Sequence, residues 1–315
     1  MNNIAVHKPC LGAALIMVLV TLLALSGLVL KAAETTSVQS RDMSLLALEY
    51  RSDILARAGL RIALNLMLKD NQDETVLTQK AWTQNWQDRG LSIKITPCAA
   101  RINLNGLATG GIGRARLEKA VLSILMDEGL SYYELEHLLY WIGTVQIPPG
   151  ARGGNPFEEY YSRNDSGYTP PGRRLTRPEE LLLVGGFEDL SPEWVRKWFT
   201  VWGEPVRIDI NFASRETALA ILPELEPYWN RIDSFRTASG ITHPNQLLTE
   251  IGMDLSVYNT VLPFIILESQ HFEIIVEIQE GSWYEKHRYI VSRNVLNPST
   301  PPEIRVRDVL DSRLL

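Results

Sequence analysis

No residue between Leu11 and Leu30 is charged, and nothing else in the chain limits its fold so tightly. Twenty consecutive small or apolar residues make a helix ~30 Å long, the thickness of one bilayer hydrocarbon core. A buried helix of a soluble protein is the competing reading. A cleaved secretory signal fits poorly, because that cut needs small residues at −3 and −1. Cutting after Ala33 puts Lys31 at −3, and cutting after Ala32 puts Leu30 there. A lipoprotein anchor needs a cysteine closing the apolar run, whereas Cys10 precedes it. The mean hydropathy of −0.07 therefore averages two unlike parts, an apolar anchor and a polar body. The remaining composition excludes other classes. With 31 Lys+Arg against 37 Asp+Glu, the chain is acidic at −6, which argues against a broad nucleic-acid surface. Two cysteines are too few for a disulfide scaffold or a multi-cysteine zinc site.

The leader and the start of the run read Gly12-Ala13-Ala14-Leu15-Ile16. This resembles the class III, type IV pilin-like signal, which prepilin peptidase cuts on the cytoplasmic side of the membrane helix. The resemblance implies cleavage between Gly12 and Ala13 and N-methylation of Ala13. Most of that family carry Glu at the fifth mature position, where this chain has Met17. In the family that carboxylate pairs with the terminal amine of the subunit ahead. Unpaired in a bilayer it costs ~2.5–3.5 kcal/mol or more, so Met17 is what a subunit with nothing ahead of it would carry. If residues 1–12 are removed, Cys10 leaves with them, and Cys98 alone cannot form an intramolecular disulfide.

From Glu34 to Asp70 there is no proline, and Gly59 is the single glycine. Leu45, Leu48, Leu55, Ala58, Ile62 and Leu66 form an amphipathic stripe. One helix from Ala13 to about Lys69 would be ~85 Å long; two helices broken near Lys31 are the alternative. Residues 71–90 read as a short helix around Trp82 and Trp86. Leu91–Ile95, Phe272–Ile278, Trp283–Val291 and Glu303–Arg307 alternate as strands. The stretch between the first two reads helical and contains a weak internal repeat. Ile102-Asn103-Leu104-Asn105 matches Ile208-Asp209-Ile210-Asn211. Leu175-Thr176-Arg177-Pro178 with Gly185 matches Ile241-Thr242-His243-Pro244 with Gly252. Asn, Asp and Thr followed by proline are helix-start chemistry, here used twice. The expected fold is α+β. A long pilin-like N-terminal helix packs on a small antiparallel sheet, with a large all-α domain of two related helix-hairpin-helix or SAM-like units inserted. Its expected segments are a leader at 1–12, a transmembrane helix at 13–31 and a helical stalk with the first strand at 32–97. The insert then takes 98–268 and the C-terminal strands 269–315.

Several stretches together carry a family resemblance: Gly12–Ile16, Arg101–Asn105, Leu139–Ile142, Pro149–Ala151, Glu158–Tyr160, Tyr168–Pro171, Leu175–Leu181 and Asp209–Ala213. They resemble, in order, the general secretion pathway protein K family, the large minor pseudopilins of type II secretion. The resemblance implies a non-enzymatic subunit anchored once in the bacterial inner membrane, its bulk periplasmic, at the tip of a pseudopilus exporting folded proteins. Its implied partners are the I- and J-type minor pseudopilins, the major pseudopilin, prepilin peptidase and the inner-membrane assembly platform. The resemblance also implies calcium, for which Glu158, Glu159 and Asp165 are the candidate ligands; a solvated acidic loop is the alternative. The chain departs from the family at Gly143-Thr144-Val145-Gln146 and Pro97-Cys98-Ala99-Ala100, where acidic residues are usual. A type IV minor pilin or another signal-anchored binding module stays open beside this.

Other motifs carry blander expectations. Gly110–Arg114 reads as a helix-start loop rather than a phosphate cradle, and Pro223–Pro227 carries carboxylates that would repel phosphate. Glu134 and His137 read as a surface pair on one helix face. Trp194, Trp198 and Trp202 read as one buried helical stripe.

Overall fold

The computed structural model describes residues 11–73, 83–86, 90–145, 155–163, 168–294 and 300–314. The chain divides into two compact units, Met1–Leu55 and Ala56–Leu315. Helix α1, Leu11–Asp73, is one element of 63 residues with no break near Lys31. In the first unit its apolar run is bare, with Leu15, Met17 and Leu30 all more than 70% exposed. The two hydroxyls inside the run are satisfied locally: Thr21 Oγ1 donates to Met17 O and Ser26 Oγ to Leu22 O. Neither therefore brings an unpaired polar group to a bilayer.

In the second unit the rest of α1 buries Ala56, Gly59, Leu60, Ala63 and Met67. This stripe lies one residue away from the expected Leu55–Ala58–Ile62–Leu66 set, whose members are half-buried. Close approach to the sheet is the reason. A Cβ on Gly59 would lie 2.7 Å from Val276 Cγ1, so small residues face the sheet and larger ones flank the contact.

Strands β1 (Thr83–Trp86) and β2 (Leu91–Pro97) follow. Of the short helix expected around Trp82 and Trp86, Trp82 lies outside the described residues and Trp86 stands in a strand. Its four polar-rich residues lack an alternating pattern, and pairing with β2 sets their conformation. The insert then runs β3 (Ile102–Asn103), α2 (Gly111–Asp127), α3 (Tyr132–Trp141), α4 (Pro156–Arg163), α5 (Pro192–Trp198) and β4 (Phe199–Thr200). It continues with β5 (Ile208–Asp209), α6 (Arg215–Ile221), α7 (Trp229–Ala238), α8 (Gln246–Thr249), α9 (Leu255–Val261) and β6 (Ile265–Ile266). β7 (His271–Glu280), β8 (Trp283–Ser292) and β9 (Glu303–Leu314) complete the chain. Among the described residues, β1-β2-β7-β8-β9 form one antiparallel sheet in that order. Ile274, Val276 and Ile278 of β7 stand opposite Ile95, Ile93 and Leu91 of β2 on its buried face. The insert opens and closes beside one rung of the β2–β7 ladder, since Pro97 and Phe272 are register partners.

The repeat is real in three dimensions. Two-residue parallel ladders pair Ile102 with Phe199 in the first copy and Ile208 with Ile265 in the second. Asn105 Nδ2 donates to Leu175 O at 2.9 Å, and its Oδ1 accepts from Leu175 N at 2.8 Å. Asn211 makes the same two bonds to Ile241 O and N, at 2.9 and 2.8 Å. Each copy therefore clasps its first motif to its second through one amide side chain. Glu180 and Gln246 then accept from the backbone amides of Thr176 and Thr242. The glycine matching Gly252 is Gly186, not Gly185: both hold positive φ, at 86° and 67°. One continuous apolar core, from Ile102 to Ile265, spans both copies.

Candidate assembly surface

The surface of α1 is the first candidate. Gly12 and Ala13 lie in its first turn, and Met17 follows at 74% exposure. Beyond the apolar run, Met43, Leu46, Tyr50 and Ile54 are all at least half exposed, at spacings of three, four and four. They form a second apolar stripe, interleaved with the half-buried Leu45 and Leu48. The letters were legible in the sequence, but leucines selected by hydrophobicity alone hid the stripe. Chemically it offers a helix face that gains ~1.5–3 kcal/mol per large side chain when another helix covers it.

The loop site is the second candidate. Glu158 and Glu159 lie in the first turn of α4, and Asp165 falls outside the described residues. Glu158 Oε1 accepts from Tyr140 Oη at 3.3 Å, and Asn155 donates to the same hydroxyl at 2.8 Å. Among the described residues, no three His, Cys, Asp or Glu side chains gather in metal-binding geometry. Those residues alone do not compose a calcium cage, which needs six to eight oxygens.

Nearby, Glu134 and His137 do not pair at the surface. Glu134 closes a capping box with Ser131 at the start of α3. His137 is fully buried, its ring 4.6 Å from Tyr133, 4.8 Å from Tyr160 and 4.9 Å from Phe157. Neither of its ring nitrogens has a hydrogen-bond partner. Burial lowers its pKa below the usual imidazole value, with Glu134 and Glu188 opposing. The histidine is therefore held neutral among aromatic rings.

The arginines of the Gly110–Arg114 region are occupied. Arg114 holds Glu118 at 2.6 Å, and Arg116 grips both oxygens of Glu224 at 2.9 Å, tying the two repeats together. Trp194, Trp198 and Trp202 are half-buried against the core, and Trp202 stands beyond the end of α5. Cys98 is a buried free thiol; burial pushes its pKa up to about 12 against the pull of Arg101.

A charged seam, which sequence patterns did not reveal, joins the insert to the outer face of the sheet. Arg101 meets Glu273 at 2.7 Å. Glu179 is gripped by Arg288 of β8 and by Arg196 of α5, and Arg288 also holds Asp308 of β9 at 2.8 Å. Burial alone would raise the Glu179 pKa, but the Arg288 and Arg196 bonds outweigh it and hold the carboxyl below its usual range.

No protein-family model and no curated protein matches the sequence. The fold does match solved structures. One is a chain of the crystal structure of the GspK-GspI-GspJ complex from the enterotoxigenic Escherichia coli type 2 secretion system. That chain superposes with a TM-score of 0.61 at 14% identity, covering 87% of this chain and 99% of its own length. The long helix, the small antiparallel sheet and the helical insert thus belong to a fold shared with that chain.

Proposed function

We propose that this chain is a minor pseudopilin of a type II secretion system. Residues 13–31 anchor it once in the inner membrane and the body stands in the periplasm. Prepilin peptidase cuts between Gly12 and Ala13, and Ala13 is then methylated. The subunit joins I- and J-type minor pseudopilins at the tip of the pseudopilus, above the major pseudopilin, where it initiates or caps the fibre.

The observation that carries this reading is helix α1. One uninterrupted element begins as a bare uncharged span and ends as the spine of a small sheet, with a large helical insert, in the architecture of a GspK-GspI-GspJ chain. Met17 supports the tip position, because a subunit with none ahead has no amine to neutralise a carboxylate in the bilayer. The apolar stripe on α1 supplies a face for partner helices.

N-terminal sequencing of the mature protein tests the class, with a methylated Ala13 expected. A start near Glu34 overturns it. Co-purification of the tagged full chain with the two other minor pseudopilins from detergent tests the position, and a full chain that elutes alone overturns the tip complex.

A further inference from the structure

A cleft of about 520 Å³ lies between the outer face of the sheet and the insert, on the side opposite α1. This volume is within the range of ligand pockets, roughly 300–1,000 Å³. Its floor is β2, β7 and β8; its roof is α5 with the segment leading into α6.

The charges of the lining decide what it prefers. Glu273 and Glu277 are already held, by Arg101 at 2.7 Å and Lys286 at 2.9 Å. Arg196 is held by Glu179 and Glu193. Glu216 lies at the start of α6, where hydrogen bonds from its own backbone amide and from Ser214 stabilise its charge. Lys197 on α5 helps to hold the Glu216 charge, and its Nζ lies 4.7 Å over the Trp198 ring. Three lysines and two arginines thus line the cleft against three carboxylates, and Lys94 on β2 makes no ion pair among the described residues. In a chain of net charge −6, the lining carries an excess of positive charge, and low-dielectric walls focus it. Ser92 and Thr96 place hydroxyls along the floor, while Ile275, Phe212 and Trp198 add apolar wall.

We propose that this cleft binds an acidic peptide segment of another protein. The lysines take its carboxylates, the strand hydroxyls its polar atoms, and the Trp198–Phe212 wall its aliphatic side chains. A small inorganic anion would use the lysines but leave the apolar wall idle. The proposal does not depend on assembly at a tip.

Fluorescence anisotropy on the full chain in detergent micelles tests it, using a fluorescein-labelled Glu-Glu-Leu-Glu peptide, a Lys-Lys-Leu-Lys counterpart and inorganic phosphate as competitor. The acidic peptide is expected to bind and the basic one not, with affinity falling severalfold as salt rises and screening shortens. The Lys94→Gln/Lys197→Gln variant is expected to bind about tenfold more weakly with unchanged thermal unfolding. Lys119→Gln/Arg174→Gln removes the same charge from exposed positions outside the cleft and is expected to bind like the parent. Equal binding of the two peptides, parental affinity in the cleft variant, or equal loss in the control variant overturns the proposal. Phosphate competing as tightly as the peptide would reassign the cleft to small anions and overturn it as well.

Discussion

Asp209 and Asn103 hold the same place in the two repeats, yet only one can carry a charge. Asp209 is fully buried, accepts from Ser269 Oγ and Asn211 N, and has its pKa raised by burial to about 7. Its native form keeps a proton that the unfolded chain releases near the ordinary aspartate value of 3.8. Stability therefore falls as pH rises from about 4 to 7 and is flat above. Asp209→Asn is expected to stabilise the protein by about 1–4 kcal/mol at pH 8, with the gain vanishing below pH 4; denaturant titration at both pH values measures it. The two clasps make a second residue-scale case. Asn211→Ala leaves the Ile241 amide and carbonyl unpaired in the core and is expected to cost about 2–4 kcal/mol. Asn105→Ala at its half-buried site is expected to cost less, the difference being read from the two unfolding midpoints. The helix-start letters of both copies were legible in the sequence. The clasps were not, because Asn105 and Asn211 reach partners 70 and 30 residues away. His137 was misread for a similar reason: its partners Phe157 and Tyr160 belong to another helix.

At the scale of the element, α1 serves two surroundings with one periodicity. Its start was plain, since twenty uncharged residues admit few folds. Its buried face was misplaced by one position, because hydrophobicity favours leucine while packing on a sheet favours whatever lets the backbones approach. Gly59→Val is expected to destabilise by about 1–3 kcal/mol through its clash with Val276. Pairing it with Val276→Ala recovers part of that loss, and a double-mutant cycle in denaturant isolates the coupling. The exposed stripe predicts the opposite pattern. Leu46→Glu or Tyr50→Glu shifts stability by less than about 0.5 kcal/mol and, on the proposed function, prevents association with the other minor pseudopilins, as size-exclusion chromatography of the mixed subunits would show. Strand β1 was illegible, because its four residues take their conformation from β2 rather than from their own pattern.

At the scale of the whole molecule, the seam at Glu179 couples the insert to the sheet. The lowered Glu179 pKa means its contribution is fully present above the unfolded carboxylate value of 4.5 and is lost as pH falls through the folded value. Glu179→Gln is expected to cost about 1–3 kcal/mol at pH 7, with a gap to the parent that closes below pH 4.5 in thermal melts. The sheet-plus-insert plan could be read from strand positions at either end of a helical middle. The seam could not, since its charges meet only once that plan is folded. The pairing of Pro97 with Phe272 has a mechanical consequence. On the proposed function the chain is drawn out of a membrane by its helix and is then under tension, and tension follows the shortest bonded route. That route crosses directly from β2 to β7, so the insert hangs beside the line of force like a bag clipped to a rope, and stays folded until the sheet itself unzips.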